Sequence, residues 1–170
     1  MMARLSLPLS LRPRIGLVLA LATLVIGAAL ASEIFAGLTP CALCLKQRAP
    51  YYLSLPLLAL AYFYTPYAKL ASRGLLVTVG VVFLVSAGLG IYHAGIEYGF
   101  WAGPATCGGG GAMASSPEAL LAALENQSIV RCDAPAWTLF GISLAGYNAL
   151  ASLALAALCL GALSHPEEEK

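Results

Sequence analysis

Charged residues are scarce in this 170-residue chain: 10% are Asp, Glu, Lys or Arg, where soluble domains carry roughly a quarter. Nine basic and eight acidic residues leave a formal net charge of +1, and no Lys/Arg-rich tract is present. A nucleic-acid-binding arm is therefore set aside. The apolar stretches hold too few ionisable side chains to suggest a transport pathway. Two close-spaced cysteine couples of the kind that bind zinc are also missing: Cys41 and Cys44 are close, but Cys107 and Cys132 are about 25 residues apart, so no metal is expected. What the chain does have is apolar: 60% of it is hydrophobic, with a mean hydropathy of +0.84. These values argue against a water-soluble fold and for one helical membrane domain over residues 1–170.

The apolar runs define four expected spans, at about Ile15 to Phe35, Cys41 to Tyr64, Leu75 to Ile96 and Trp137 to Leu163, each near the roughly 20 residues a bilayer requires. The fold class expected is an all-α four-transmembrane-helix bundle. In the second span the cleanly apolar part, Tyr51 to Tyr64, is too short, so the helix must start near Cys41 and take in Lys46 and Arg48. Pro50 and Pro56 would kink it. Arg4, Arg12, Arg14, Lys69, Arg73 and Lys170 fall on one side of the bilayer, and Lys46, Arg48 and Arg131 on the other. The positive-inside rule then makes the first side cytoplasmic, with both termini there and the long loop, residues 97–136, outside. A cleaved signal peptide ending near Ala29-Leu30-Ala31 is the rival reading of the N-terminus, and it leaves the cysteines outside as well. Within the loop, Ser116-Pro117-Glu118 reads as a helix start, and Leu120, Leu121 and Leu124 share one face of a short surface helix, lying on the membrane or packed on the bundle. Gly108 to Gly111 form a flexible tether.

Four of the five cysteines, Cys41, Cys44, Cys107 and Cys132, share the outer compartment, where cysteines are either structural bridges or redox-active. A CxxC closes too small a ring to constrain much unfolded-chain entropy, and the same spacing recurs in redox centres. Thr39-Pro40-Cys41 reads as a helix N-terminus, which favours a thiolate. Cys44 lies at i+3 from Cys41, and Arg48 at i+4 from Cys44, so the three share one face. Arg48, near the hydrocarbon boundary, calls for a partner, or for a lipid phosphate reached by snorkelling, the reading that suits Lys46. His93 stands in the last turn of the third span, where it either shuttles a proton or caps carbonyls at the interface. Glu97 reads as an ordinary solvated acid, with proton delivery as the alternative. Cys159, mid-span among alanines and leucines, needs no role.

Together, Pro40-Cys41-Ala42-Leu43-Cys44 followed by Arg48, the two spaced loop cysteines, and Cys132-x4-Trp137-x2-Phe140-Gly141 before the last span resemble the disulfide-bond formation protein B (DsbB) family along essentially the whole chain. The resemblance implies a thiol:quinone oxidoreductase of the bacterial inner membrane that reoxidises a periplasmic DsbA-like thioredoxin-fold oxidase. It implies that Cys107 forms the mixed disulfide with that oxidase, that Cys132 is its bonded companion, and that Cys41 and Cys44 are the membrane-proximal pair, with Cys44 meeting a ubiquinone or menaquinone. Arg48 then matches the arginine beside the quinone. His93 is a further candidate there. Tyr92-His93-Ala94-Gly95-Ile96-Glu97 and the glycine run match the family's better-known members only loosely. The chain also resembles vitamin K epoxide reductase in its logic, but that bundle has its CxxC at the last span. A membrane scaffold with a disulfide-stapled loop is the reading from another class, and it requires inert bridges.

Overall fold

The computed structural model describes residues 10–104 and 131–161. The expected surface helix, the glycine tether, Cys107 and the last residues of the fourth span lie outside these. Four helices occur among the described residues: α1 (Leu11–Ala36), α2 (Ala42–Tyr64), α3 (Lys69–Glu97) and α4 (Leu144–Leu160). By length and composition α1 and α3 can cross a membrane, and α4 is a shorter apolar helix. α1 runs without a break through Ala29-Leu30-Ala31 and ends at Gly37, whose φ of 65° and N–H to the Ser32 carbonyl close it with a left-handed cap.

Each helix buries a narrow stripe and leaves the rest of its apolar surface outward. Ile15, Val18, Ala22 and Ile26 of α1 recur every three or four residues and meet Tyr51, Leu58 and Ala61 of α2, Leu76, Val79 and Phe83 of α3, and Leu155, Ala156 and Cys159 of α4 in one core. Leu24, Leu53, Phe63, Val85 and Leu150 are exposed. A water-soluble bundle would have to cover such residues, whereas lipid tails solvate them. Cys159 is fully buried in this core as an ordinary small apolar residue. α3 and α4 approach through small residues, and a Cβ on Gly90 would lie 2.9 Å from the Ala149 backbone nitrogen. Only glycine permits that approach.

Pro50 and Pro56 are accommodated inside α2. The fourth helix starts later than the apolar run from Trp137 suggests. Thr138–Leu139 (β1) and Ile142–Ser143 (β2) pair antiparallel, Thr138 with Ser143 and Leu139 with Ile142, leaving Phe140-Gly141 as a two-residue turn. Both turn residues have positive φ, 49° and 77°, as a tight hairpin of matching twist requires. Ser143 then caps α4 by accepting the Gly146 N–H. The Tyr98 hydroxyl donates to the Gly141 carbonyl and accepts from the Ser143 N–H, tying the hairpin to the end of α3. Cys41, Glu97 and the hairpin consequently gather at one end of the bundle.

Candidate active site

Cys41 is the N-cap residue of α2, with an extended backbone (φ −77°, ψ 172°), and its sulfur accepts the Cys44 N–H at 3.3 Å. The helix turn that follows brings the two sulfurs to 3.1 Å without a bond, and both are thiols. The Cys41 sulfur is also 3.5 Å from His93 Nε2 of α3. Cys41 lies ahead of the helix proper, and its thiol is held well below the ordinary range. The hydrogen bond with the Cys44 thiol contributes most, burial opposes it, and the His93 imidazole and the Cys44 N–H add to the lowering. A thiol so held ionises at lower pH than an ordinary cysteine. Thiolate absorbance of the dithiol protein is thus expected to persist below pH 7, and in His93→Leu to fade at higher pH than in the wild type. Identical titrations would rule out the histidine's contribution.

Cys132 is buried beside this pair and is disulfide-bonded. Its Sγ, the Cys41 Sγ and a His93 ring nitrogen all lie within 4.8 Å of one another. By distance alone these atoms suit a metal, but a disulfide sulfur is not a thiolate ligand; a thiol and a disulfide sulfur at this separation are neighbours between which sulfur exchange is chemically open. Leu43 and Ile96 close around the sulfurs and exclude water. Two inert bridges, as the scaffold reading requires, are not what this structure contains, because Cys41 and Cys44 are unbonded. The neighbouring Arg131 and Asp133 are exposed and paired at 2.7 Å, and Arg131 holds the Asp133 carboxyl below the usual carboxylate range.

On the other side of Cys44 opens a cavity of about 350 Å³ between α1, α2 and α4. Its wall is mostly apolar, with Val25, Ile26, Leu38, Leu144 and Ala151 among its residues, and its polar groups are few: Arg48, Gln47, Tyr51 and Asn148 stand out. An apolar cleft with a few convergent polar groups is how proteins commonly hold small-molecule ligands. Of the sequence candidates, Cys44 and Arg48 line this cavity, whereas Cys41, Cys132 and His93 cluster beside the cysteine pair, and His93 is not among the cavity's lining residues. Cys107 falls outside the described residues.

One expectation is corrected, and one of two open alternatives is set aside. Glu97 is not solvated: its side chain is 5% exposed, and Oε1 lies 3.8 Å from His93 Nε2. His93 does not serve as a carbonyl cap of its helix end; it is buried and engages the Cys41 and Gln47 side chains. Arg48 does have the partner its position demanded, Glu33 of α1 at 2.7 Å. Sequence reasoning missed Glu33 in that role, along with Gln47, Tyr51 and Asn148. A signal was available, since uncharged polar side chains inside apolar spans are costly unless they pair.

A helical, lipid-compatible bundle carrying a dithiol, its Cys41 buried, against a disulfide sulfur defines a membrane disulfide oxidoreductase. The family comparison agrees: residues 12–162 match the model of "Disulfide bond formation protein DsbB", and the chain belongs to that family. No curated protein and no solved structure matches it.

Proposed function

We propose that the chain is a four-span thiol:quinone oxidoreductase that takes electrons from a periplasmic DsbA-like dithiol oxidase and delivers them to a membrane quinone, ubiquinone or menaquinone. The observation that carries this reading is the position of the Cys41–Cys44 pair, with a disulfide sulfur on one side and a cavity suited to a ring on the other. The Lys/Arg distribution supports an inner-membrane protein with both termini cytoplasmic and the cysteine loop periplasmic. α2 and α4 complete the four spans of a single domain, residues 1–170.

In this reading Cys107 and Cys132 form the outer disulfide. A thiolate of the oxidase attacks Cys107 and releases Cys132 as a thiolate. Cys132 then attacks Cys41 of an oxidised Cys41–Cys44 bond and expels Cys44 as a thiolate. The oxidase's second thiol resolves its mixed disulfide and frees Cys107, which attacks Cys132 and releases Cys41. The outcome is an oxidised outer pair and a dithiol inner pair, which is the redox state of Cys132, Cys41 and Cys44 in the structure. Two electrons and two protons have moved inward, and the oxidase has become a disulfide.

The cavity fits a quinone: its apolar wall suits a ring and isoprenoid tail, and Arg48, Gln47, Tyr51 and Asn148 offer hydrogen bonds to ring oxygens. A quinone there supplies an acceptor for two electrons and two protons. Cys44 lines the cavity and would be the thiol nearest such an acceptor, while Arg48 would supply a cation to stabilise negative charge on it. A reduced oxidase whose second, resolving cysteine is replaced by Ser is expected to attack the outer disulfide and accumulate a mixed disulfide with Cys107, visible on a non-reducing gel, and Cys107→Ser should form none. A trapped complex that survives Cys107→Ser would sink the assigned order of attack.

A further inference from the structure

Cys41, His93 and Cys132 come from three separate parts of the fold: the start of α2, the end of α3 and the segment before the hairpin. One ligand atom from each nevertheless lies within 4.8 Å of the other two, and all three side chains are buried. Thiolate sulfurs and an imidazole nitrogen are donors that suit Zn²⁺, which binds them at roughly 2.3 and 2.0 Å in a tetrahedron. Neighbouring donors of such a site are therefore about 3.5–3.8 Å apart. The Cys41 sulfur and His93 Nε2 already are, at 3.5 Å. Cys132 has at most about 1 Å to close.

A separate observation supplies the fourth donor. Glu97 Oε1 is 3.8 Å from His93 Nε2, whereas Oε2 is buried with no hydrogen-bond partner among the described residues. A buried carboxylate oxygen that lacks a donor is costly, and a cation beside it relieves the cost. Outer contacts are in place as well: the Cys44 N–H donates to the Cys41 sulfur at 3.3 Å, and the Gln47 side chain reaches His93 Nδ1 at 2.7 Å. Contacts of this kind orient the ligands of a metal. With a metal on Nε2 the ring proton sits on Nδ1, and Gln47 turns its side-chain oxygen to accept it. Cys44 is not part of the group.

In the structure Cys132 is held in a disulfide, and a disulfide sulfur is no metal ligand. Reduction changes that. A dithiol donor gives two electrons and two protons to the outer disulfide and becomes a disulfide itself, which leaves Cys132 a thiol beside the Cys41 thiol. We propose that the fully reduced protein binds one Zn²⁺ through the Cys41 and Cys132 thiolates, His93 Nε2 and the Glu97 carboxylate. Each thiol releases its proton to solvent as its bond to zinc forms. The dication offsets two of the three negative charges that would otherwise share one dry pocket, closed by Leu43 and Ile96. Bound zinc occupies both sulfurs, so neither is free to attack a disulfide, and the inner and outer pairs are uncoupled until the metal leaves. The site goes beyond the quinone reading and does not depend on it.

The test uses full-length protein in detergent, reduced with a phosphine, freed of the reductant under nitrogen and kept without quinone. Co²⁺ serves as the visible probe. One equivalent is expected to bind, with the visible bands of a tetrahedral site and the sulfur-to-metal charge transfer of two thiolates, and Zn²⁺ should displace it. Protein with both disulfides formed should bind none. Cys132→Ser and His93→Leu, reduced in the same way, should each weaken binding at least about 100-fold, more than the loss of an outer contact costs. Either variant serves if the other fails to fold. Glu97→Gln should weaken binding about tenfold, and Cys44→Ser should bind as the wild type does. The proposal is overturned if the reduced wild type binds no metal, or if binding is undiminished in Cys132→Ser or His93→Leu. Binding lost in Cys44→Ser would also overturn it, because that outcome marks a plain CxxC chelate. None of these readouts needs turnover, so a protein that binds cobalt as described and reduces no quinone strikes the proposed function and leaves the metal site standing.

Discussion

Cys41→Ser is expected to reduce thiol-dependent quinone reduction to the uncatalysed background, while the protein still folds, inserts and forms its outer disulfide. Cys41 is the one sulfur placed to serve both pairs among the described residues: 3.1 Å from Cys44 on one side and within 4.8 Å of Cys132 on the other. Serine cannot form either bond, and no parallel route is open to groups that act in series. The Cys41 side chain contributes one N-cap hydrogen bond to the fold, which a hydroxyl replaces well. Stability should therefore change little. A Cys41→Ser protein that retained even a tenth of wild-type turnover would require a direct path from the outer pair to the acceptor.

Arg48→Ala is expected to lower kcat/KM for quinone by about 10²-fold, with the mixed disulfide to the oxidase unaffected. The guanidinium lines the cavity with Cys44 and is held there by Glu33 at 2.7 Å. Removing it leaves a carboxylate that is 38% exposed, so solvent and not the core absorbs the loss. The defect should then appear in quinone use and not in thermal stability. Glu33→Gln keeps the arginine but loosens its anchor, and a smaller defect of the same kind is expected. Unchanged quinone kinetics in Arg48→Ala would remove the arginine from the site and leave the pair with Glu33 as its whole explanation.

The parts legible in the sequence were those whose information is local. The CxxC behind Pro40, the arginine one turn further on and the histidine at a helix end each announce themselves within a few residues, and the structure sets His93 beside Cys41 and Arg48 with Cys44 in the cavity wall. The unusual placement of Arg48 correctly demanded a partner. Its identity was not legible, because Glu33 sits on another helix and two acids, Glu33 and Glu97, lay near the same end. Gln47 and Asn148 meet across 101 positions of sequence, and Tyr51 and Asn148 across 97; periodicity carries no such pairing. Only the cost of polar groups in apolar spans pointed to them. The start of the last helix was misplaced for a different reason. Trp137 to Ser143 is apolar enough to continue a span, and the hairpin depends on a phenylalanine at positive φ, a conformation that the residue type does not advertise. Solvation misled at Glu97, where helix-end position suggests water and packing against His93 supplies burial.

The central claim is that the inner cysteine pair hands electrons to a quinone. Its most direct test is quinone absorbance followed in detergent-purified protein supplied with a reduced thioredoxin-fold oxidase, comparing wild type with Cys44→Ser. The account predicts steady quinone loss matched one for one by oxidation of the added dithiol, and none in the variant. Dithiol oxidation or quinone loss that proceeds equally in Cys44→Ser, or a wild type inert toward every quinone and thiol donor, would contradict it.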